Sequence, residues 1–109
     1  MTLSSLEAIF GSTGYSASAE SLVAYSRDAS MIQGECIAVV WPSETSQIVA
    51  LIEWACIHDI DLVPRGAGTG LCGSAVPLRS VVVDSARLRS IGTVDPVSQQ
   101  VSVQAGVVL

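Results

Sequence analysis

"PRGAGTGLCGSAVP" (Pro64 to Pro77) places four glycines, Gly66, Gly68, Gly70 and Gly73, within eight positions and fences them with prolines. "GTGLCG" (Gly68 to Gly73) fits the spacing of a dinucleotide-binding GxGxxG turn, but such a turn must open a crossover helix. Only residues 74–80 separate Gly73 from Val81, and Pro77 interrupts them, which leaves no room for that helix. A P-loop needs lysine where this chain has Ser74. What remains is a strand-to-strand loop whose own N–H groups converge on an anion. Glycine permits positive φ and close backbone approach, and successive N–H groups then form a nest suited to a pyrophosphate. Three or four such hydrogen bonds, each worth about 1.5–3 kcal/mol, would contribute several kcal/mol. Thr69 adds a hydroxyl donor. The competing reading is a glycine-rich turn with no ligand.

Outward from the loop, the flanking segments alternate in type. Upstream, "IDLVP" (Ile60 to Pro64) reads as a short strand feeding the glycines, and "CIAVVWP" (Cys36 to Pro42) as a strand covered on both faces. Between them lies the clearest helix. Ser43 is its expected N-cap, Glu44 sits well against the N-terminal dipole, and Ile48, Leu51, Ile52 and Ala55 form its expected buried stripe. "LSSLEAIFG" predicts a short helix stopped by Gly11. Residues 11–35 are rich in Ser and Gly, with one more helical turn expected around Leu22 to Tyr25.

Downstream, "SVVVD" (Ser80 to Asp84) predicts a buried strand, and "SIGTV" with "QVSVQA" predicts a hairpin around "DPVSQ". This order is an α/β pattern with a parallel βαβ unit at its start. The expected division is a helical or irregular segment over 1–35, then a ligand-binding domain over 36–109. The apolar ending "AGVVL" is an unusual surface terminus, and the expectation is the front part of a larger protein.

Composition narrows the classes. The 109 residues are half apolar with few charges, which argues against disorder. The formal charge is -5, and the five basic residues are all arginine, so nucleic acid and anionic membrane are disfavoured partners. A phosphate would be held mainly by backbone N–H groups, with Arg65 as a candidate exception. Cys36, Cys56 and Cys72 are odd in number and scattered, pointing to reduced thiols more than to a disulfide frame or a zinc site. The N-terminus lacks a signal-peptide pattern and no run reaches membrane-spanning length, so the expected location is cytoplasmic.

The glycine loop closely resembles the flavin-pyrophosphate loop of the FAD-linked oxidase family, whose FAD domain is of the vanillyl-alcohol-oxidase (PCMH) type. The nearest branch is the glycolate oxidase and D-lactate dehydrogenase group. "YSRDAS" (Tyr25 to Ser30), "AVVWPSETSQIVALIEWA" (Ala38 to Ala55), "VVVDSARLRSIGTVD" (Val81 to Asp95) and "VSVQAGV" (Val101 to Val107) stand in the same order. The resemblance implies an α/β N-terminal subdomain with a small, mostly parallel sheet, flanking helices and a C-terminal hairpin. It implies FAD held through Arg65, Gly66, Ala67, Gly68, Thr69, Gly70 and Gly73, with Pro42 near the adenine end. Cys72 stands where serine is common, and Ser74, a further candidate contact, where a second glycine is common. No histidine lies between Pro64 and Pro77, so noncovalent FAD is expected.

Complete family members oxidise 2-hydroxy acids by hydride transfer to the flavin, using later sequence. No catalytic residue or metal ligand is therefore assigned within these residues. His58 reads as a helix C-terminal residue favoured by the dipole, Cys72 as a packed small residue, and Asp28 as a local turn or cap. Trp41 and Trp54 read as core. Association with other subunits or with a second copy is compatible with the resemblance. A remnant that folds and self-associates without FAD is the alternative. Within the same superfamily, an alkyl-glycerone-phosphate synthase or a cell-wall sugar-nucleotide reductase is a third reading.

Overall fold

The apolar runs Cys36–Val40 and Val81–Val83 lie side by side at the centre of one sheet in the computed structural model of the chain, which describes residues 3–109. The elements follow as α1 (Leu3–Phe10), β1 (Tyr15–Ser16), α2 (Ala19–Ala24), β2 (Glu35–Val40), α3 (Thr45–His58), β3 (Leu62–Arg65) and β4 (Leu78–Asp84). The spatial order is β1-β2-β4-β3, so β4, last in sequence, is inserted between the strands that precede it. It is parallel to both neighbours, with Val39 opposite Val82 on one side and Pro64 opposite Val83 on the other. β1 adds to the outer edge of β2 in antiparallel sense.

Both faces of the sheet are covered, which is why its strands read as unbroken apolar runs. On one face Ala38, Val40 and Val81 pack against Leu6 and Phe10 of α1 and Leu51, Trp54 and Ala55 of α3. On the other, Cys36, Val39 and Val82 pack under Leu22, Tyr25 and Trp41. Burial holds the Cys36 thiol above its ordinary pKa, while Cys56 and Cys72 are exposed. α1 stops where expected, with Gly11 at φ +74° and its N–H donating to Glu7 O. α3 ends with Asp59 in the left-handed region, and its backbone N–H closes on Ala55 O.

Several expectations need correction. Ser43 is not the N-cap of α3; Glu44 takes that position without a side-chain cap. The reason is Gln47, whose Oε1 accepts from Ser43 N–H at 2.8 Å and so ties Ser43 outside the helix. The buried stripe of α3 is Leu51, Trp54 and Ala55, whereas Ile52 is half exposed. Trp41 is not core but only partly buried, because its indole N–H reaches for Asp84 at the sheet's end. The C-terminal hairpin turns as expected, but it pairs only through isolated bridges, Ile91 with Val103 and Asp95 with Gln100. Its residues 91–105 are exposed, so no packed face reinforces a longer ladder.

Candidate functional site

A parallel pair forces its connection to travel the length of a strand. β3 ends at Arg65 and β4 begins at Leu78, so residues 66–77 must run back along the sheet. For a seven-residue strand that distance is about 23 Å. The glycine segment is thus a drawn-out strap and not a tight turn. It lies against the chain that follows α2: Ala29 N–H donates to Gly68 O at 2.9 Å, and Ile32 Cδ1 stands 3.0 Å from where a Cβ on Gly73 would be. Gly68 and Gly73 have φ of +71° and +81°, which only glycine adopts freely. Among the described residues, the backbone N–H groups from Gly66 to Ser74 donate to no protein acceptor.

The carboxyl ends of β2, β3 and β4 lie together, the position at which open α/β sheets bind ligands. Two clefts open there. One, of about 440 Å³, runs between Pro42, Ile48 and Leu51 on one wall and Pro64, Gly66 and Leu88 on the other. The second, of about 470 Å³, lies among Gly66, Ala67, Ser85, Arg89, Gly106 and Val107. They meet at Gly66, Ser85 and Ala105, and no carboxylate lines either of them. In a chain of net charge -5, that is a locally anion-tolerant surface. An ideal Cβ on Gly66 would meet nothing within 4 Å, so the backbone at the junction stands clear.

Pro42, Arg65, Gly66 and Ala67 are thereby brought together. Gly68, Thr69, Gly70, Gly73 and Ser74 continue along the strap and line neither cleft. Ser85, Leu88, Arg89 and the 105–107 turn were not singled out in the sequence as site residues. Their signal was topological: they follow the carboxyl end of β4 and the return of the hairpin.

Behind the strap is a polar cluster. Asp84, buried at the end of β4, accepts from Tyr25 OH at 2.6 Å and from Trp41 Nε1 at 3.2 Å through one oxygen. Its other oxygen accepts from Ala86 N–H at 2.9 Å. Tyr25 and Trp41 meet edge to face with ring centroids 5.8 Å apart. The Arg65 guanidinium lies 5.0 Å over the Tyr25 ring and donates to Arg27 O at 2.6 Å. Asp28 folds as a local turn, with Oδ1 accepting from Ser30 N–H at 2.8 Å. The Ser30 hydrogen bonds hold its carboxyl below the usual range. His58 lies over Trp54 with its Nδ1 2.8 Å from Trp54 O, away from both clefts. Among the described residues no metal-binding group forms and no helix is long and apolar enough to cross a membrane.

Burial, then the bond to Asp84, raises the Tyr25 pKa above 10.0. A group raised on folding contributes stability that is complete below its unfolded value and is lost as pH rises through the folded value. Stability should therefore begin to fall above pH 10.0. Tyr15, also raised by burial, shares the effect, so Tyr25→Phe should reduce but not remove it. Urea midpoints between neutral and alkaline pH, read beside tyrosinate absorbance, test this. A pH-independent difference between Tyr25→Phe and the parent would contradict it.

Comparison with known proteins bears on the same region. Glycolate oxidase subunit GlcD of Escherichia coli (strain K12) is 38% identical over 72 residues, covering 65% of this chain and 14% of that protein. D-2-hydroxyglutarate dehydrogenase of Stutzerimonas stutzeri (strain A1501) is 38% identical over 68 residues, covering 62% of this chain and 15% of its own length. The chain thus spans about one-seventh of these relatives. The solved structure of an alkyldihydroxyacetonephosphate synthase superposes with a TM-score of 0.84 over 96% of this chain and 22% of that one, at 17% identity, which shows a shared fold. Residues 36–109, from the first buried strand through the glycine strap to the hairpin, match one family over most of the chain, and the protein belongs to the FAD binding domain family.

Proposed function

We propose that this chain binds the pyrophosphate and adenine half of FAD noncovalently, as the N-terminal portion of a flavin-dependent oxidoreductase acting on a 2-hydroxy acid of the glycolate or D-lactate class. The observation that carries the reading is the meeting of two carboxylate-free clefts at Gly66, the start of a strap whose N–H groups from Gly66 to Ser74 have, among the described residues, no protein acceptor. Residues 36–109 would supply the groups that face FAD, and residues 1–35 the segment against which the strap rests. Gly66, Ala67, Gly68, Thr69 and Gly70 would offer N–H groups to the pyrophosphate, with Gly73 and Ser74 closing the strap. Pro42 and the apolar wall of α3 would face the adenine. Noncovalent attachment is supported by the position of the chain's single histidine, His58, which packs on Trp54 away from the strap.

The residues present fit the group: donors without acceptors, an open backbone at the junction, and no acidic side chain in either cleft. When bound, the flavin would supply the hydride acceptor for the 2-hydroxy acid. Glycolate oxidase and D-2-hydroxyglutarate dehydrogenase are both named for 2-hydroxy-acid chemistry, which supports that substrate class. The complete protein would work in the cytoplasm, with other subunits or a second copy.

Titration with FAD, followed by flavin fluorescence, tests the reading with ADP and FMN as comparators. Saturable FAD binding that ADP displaces and FMN does not is expected. Absence of binding by a folded chain would overturn it. That outcome belongs to a second reading, a folded chain that self-associates without FAD, favoured by the exposure of Ile91, Val94, Val97 and Val103.

A further inference from the structure

We infer that Arg65 is a positioning residue: its guanidinium sets the crest of the glycine strap from behind, through Tyr25 and Arg27, and takes no part in contacting the phosphates. The inference rests on the pyrophosphate reading of the strap and assigns the arginine that immediately precedes it to a different task. Three observations carry it.

First, the guanidinium is already engaged. Nη1 donates to Arg27 O at 2.6 Å while the group's face lies 5.0 Å over the Tyr25 ring. The charge-assisted hydrogen bond and the cation–π contact hold the guanidinium behind the strap before any ligand arrives. Second, the strap is moulded on that group. The position of a Cβ on Gly68 falls onto the Arg65 guanidinium, so the bare backbone of Gly68 rests directly against it. Gly68 O meanwhile accepts from Ala29 N–H, two residues beyond Arg27. The crest is thus clamped between a side chain from the strap's own root and the segment after α2.

Third, the platform under Arg65 is anchored at the sheet. Tyr25 is fixed by its hydroxyl to Asp84 and by its edge contact with Trp41. Asp84 is opposite Arg65 in the β3–β4 pairing, and Ser85 N–H donates to Arg65 O at 3.0 Å. The circuit from Arg65 through Tyr25 to Asp84 and back along the backbone is therefore closed. It transmits the position of the sheet's end to a loop that has no secondary structure of its own. Preorganised N–H donors bind an anion more tightly than donors that must first be ordered.

The test uses Arg65→Met and Tyr25→Leu, singly and together, in the whole chain. Backbone order of Gly66 to Gly70 is read by nitrogen-15 relaxation without ligand, and FAD affinity is read separately by fluorescence over a range of salt. For the parent, order parameters near those of rigid backbone, about 0.85, are expected; both single variants should fall toward the flexible range, below about 0.6. Both should lose roughly tenfold in FAD affinity, and the double variant should lose no more than the worse single one. The salt dependence of binding should be unchanged in Arg65→Met, because no phosphate contact has been removed.

An Arg65→Met variant that keeps an ordered strap yet binds weakly, with a shallower salt dependence, would make Arg65 a direct phosphate ligand and overturn the inference. Unchanged order and unchanged affinity would overturn it equally. Tyr25→Leu retains the charge and carries the test alone should Arg65→Met fail to fold. If the parent itself binds no FAD, the pyrophosphate reading falls, while the order parameters still decide whether Arg65 and Tyr25 hold the strap.

Discussion

Gly68→Val should lower FAD affinity by about a hundredfold or more, a loss of about 2.7 kcal/mol, while leaving the circular-dichroism spectrum of the chain unchanged. Two costs combine at this position. Gly68 has φ of +71°, and holding a side-chain-bearing residue there costs about 1–3 kcal/mol. A branched Cβ pays the upper part of that range. The same Cβ falls onto the Arg65 guanidinium, which is not a free side-chain end because Arg27 O and the Tyr25 ring hold it. The strap must then lift, and each N–H bond to a charged oxygen lost in that way costs about 1.5–3 kcal/mol. The sheet is not touched, so folding survives. Undiminished affinity in this variant would mean that the crest of the strap lies outside the site.

Leu51→Ala has the second large expected effect, on stability. Leu51 is fully buried, in a cluster with Leu6 and Phe10 of α1, Trp54 of α3 and Val81 of β4. Truncating a leucine in such a position costs about 2–5 kcal/mol, the spread reflecting how far neighbours collapse into the gap. Against a typical total of about 5–15 kcal/mol, that is a large share. Urea unfolding should show a lower midpoint with an unchanged slope. Val49→Ala on the exposed side of α3 is the control, with an expected change within about 0.5 kcal/mol. Leu51 also lines the cleft beside Pro42, so weaker FAD binding by the folded fraction of Leu51→Ala should accompany the loss. A cost near that of Val49→Ala would show that α3 rests only loosely on the sheet.

The parts of this architecture that were legible in the sequence are those where one local force dominates. Cys36–Val40 and Val81–Val83 could be read as strands because both faces are buried, so nothing polar interrupts them. That a loop and not a crossover helix joins β3 to β4 could be read from Pro77 and the short span between Gly73 and Val81, while the drawn-out course of the strap could not. What escaped depends on contacts between distant residues. Ser43 has the chemistry of a cap, but Gln47 competes for it four residues on. Ile52 matches the helical period of α3, yet the sheet meets the helix on the side of Trp54. Tyr25 and Asp84 stand 59 residues apart, and no local pattern announces that they share a hydrogen bond. The two-residue β1 has no periodicity to read at all. The cleft residues after β4 belong to the same class, since the fold and not the local sequence gathers them.

The insertion of β4 between β2 and β3 has a consequence for how the protein comes into being. During synthesis, β2, α3 and β3 are all complete by Arg65, yet β2 and β3 are not neighbours and give each other no hydrogen bonds. Each waits with an open edge until Leu78–Asp84 has emerged and slid between them, at a ribosomal pace of about 5–20 residues per second. During that interval the two edges can pair with other nascent chains, the usual hazard of non-local β pairing. The glycine segment is the tether that brings the missing strand home. Its length and looseness set how soon the vulnerable interval ends, so the same residues answer to two pressures: slack enough to let the centre strand in, and fixed once it has arrived.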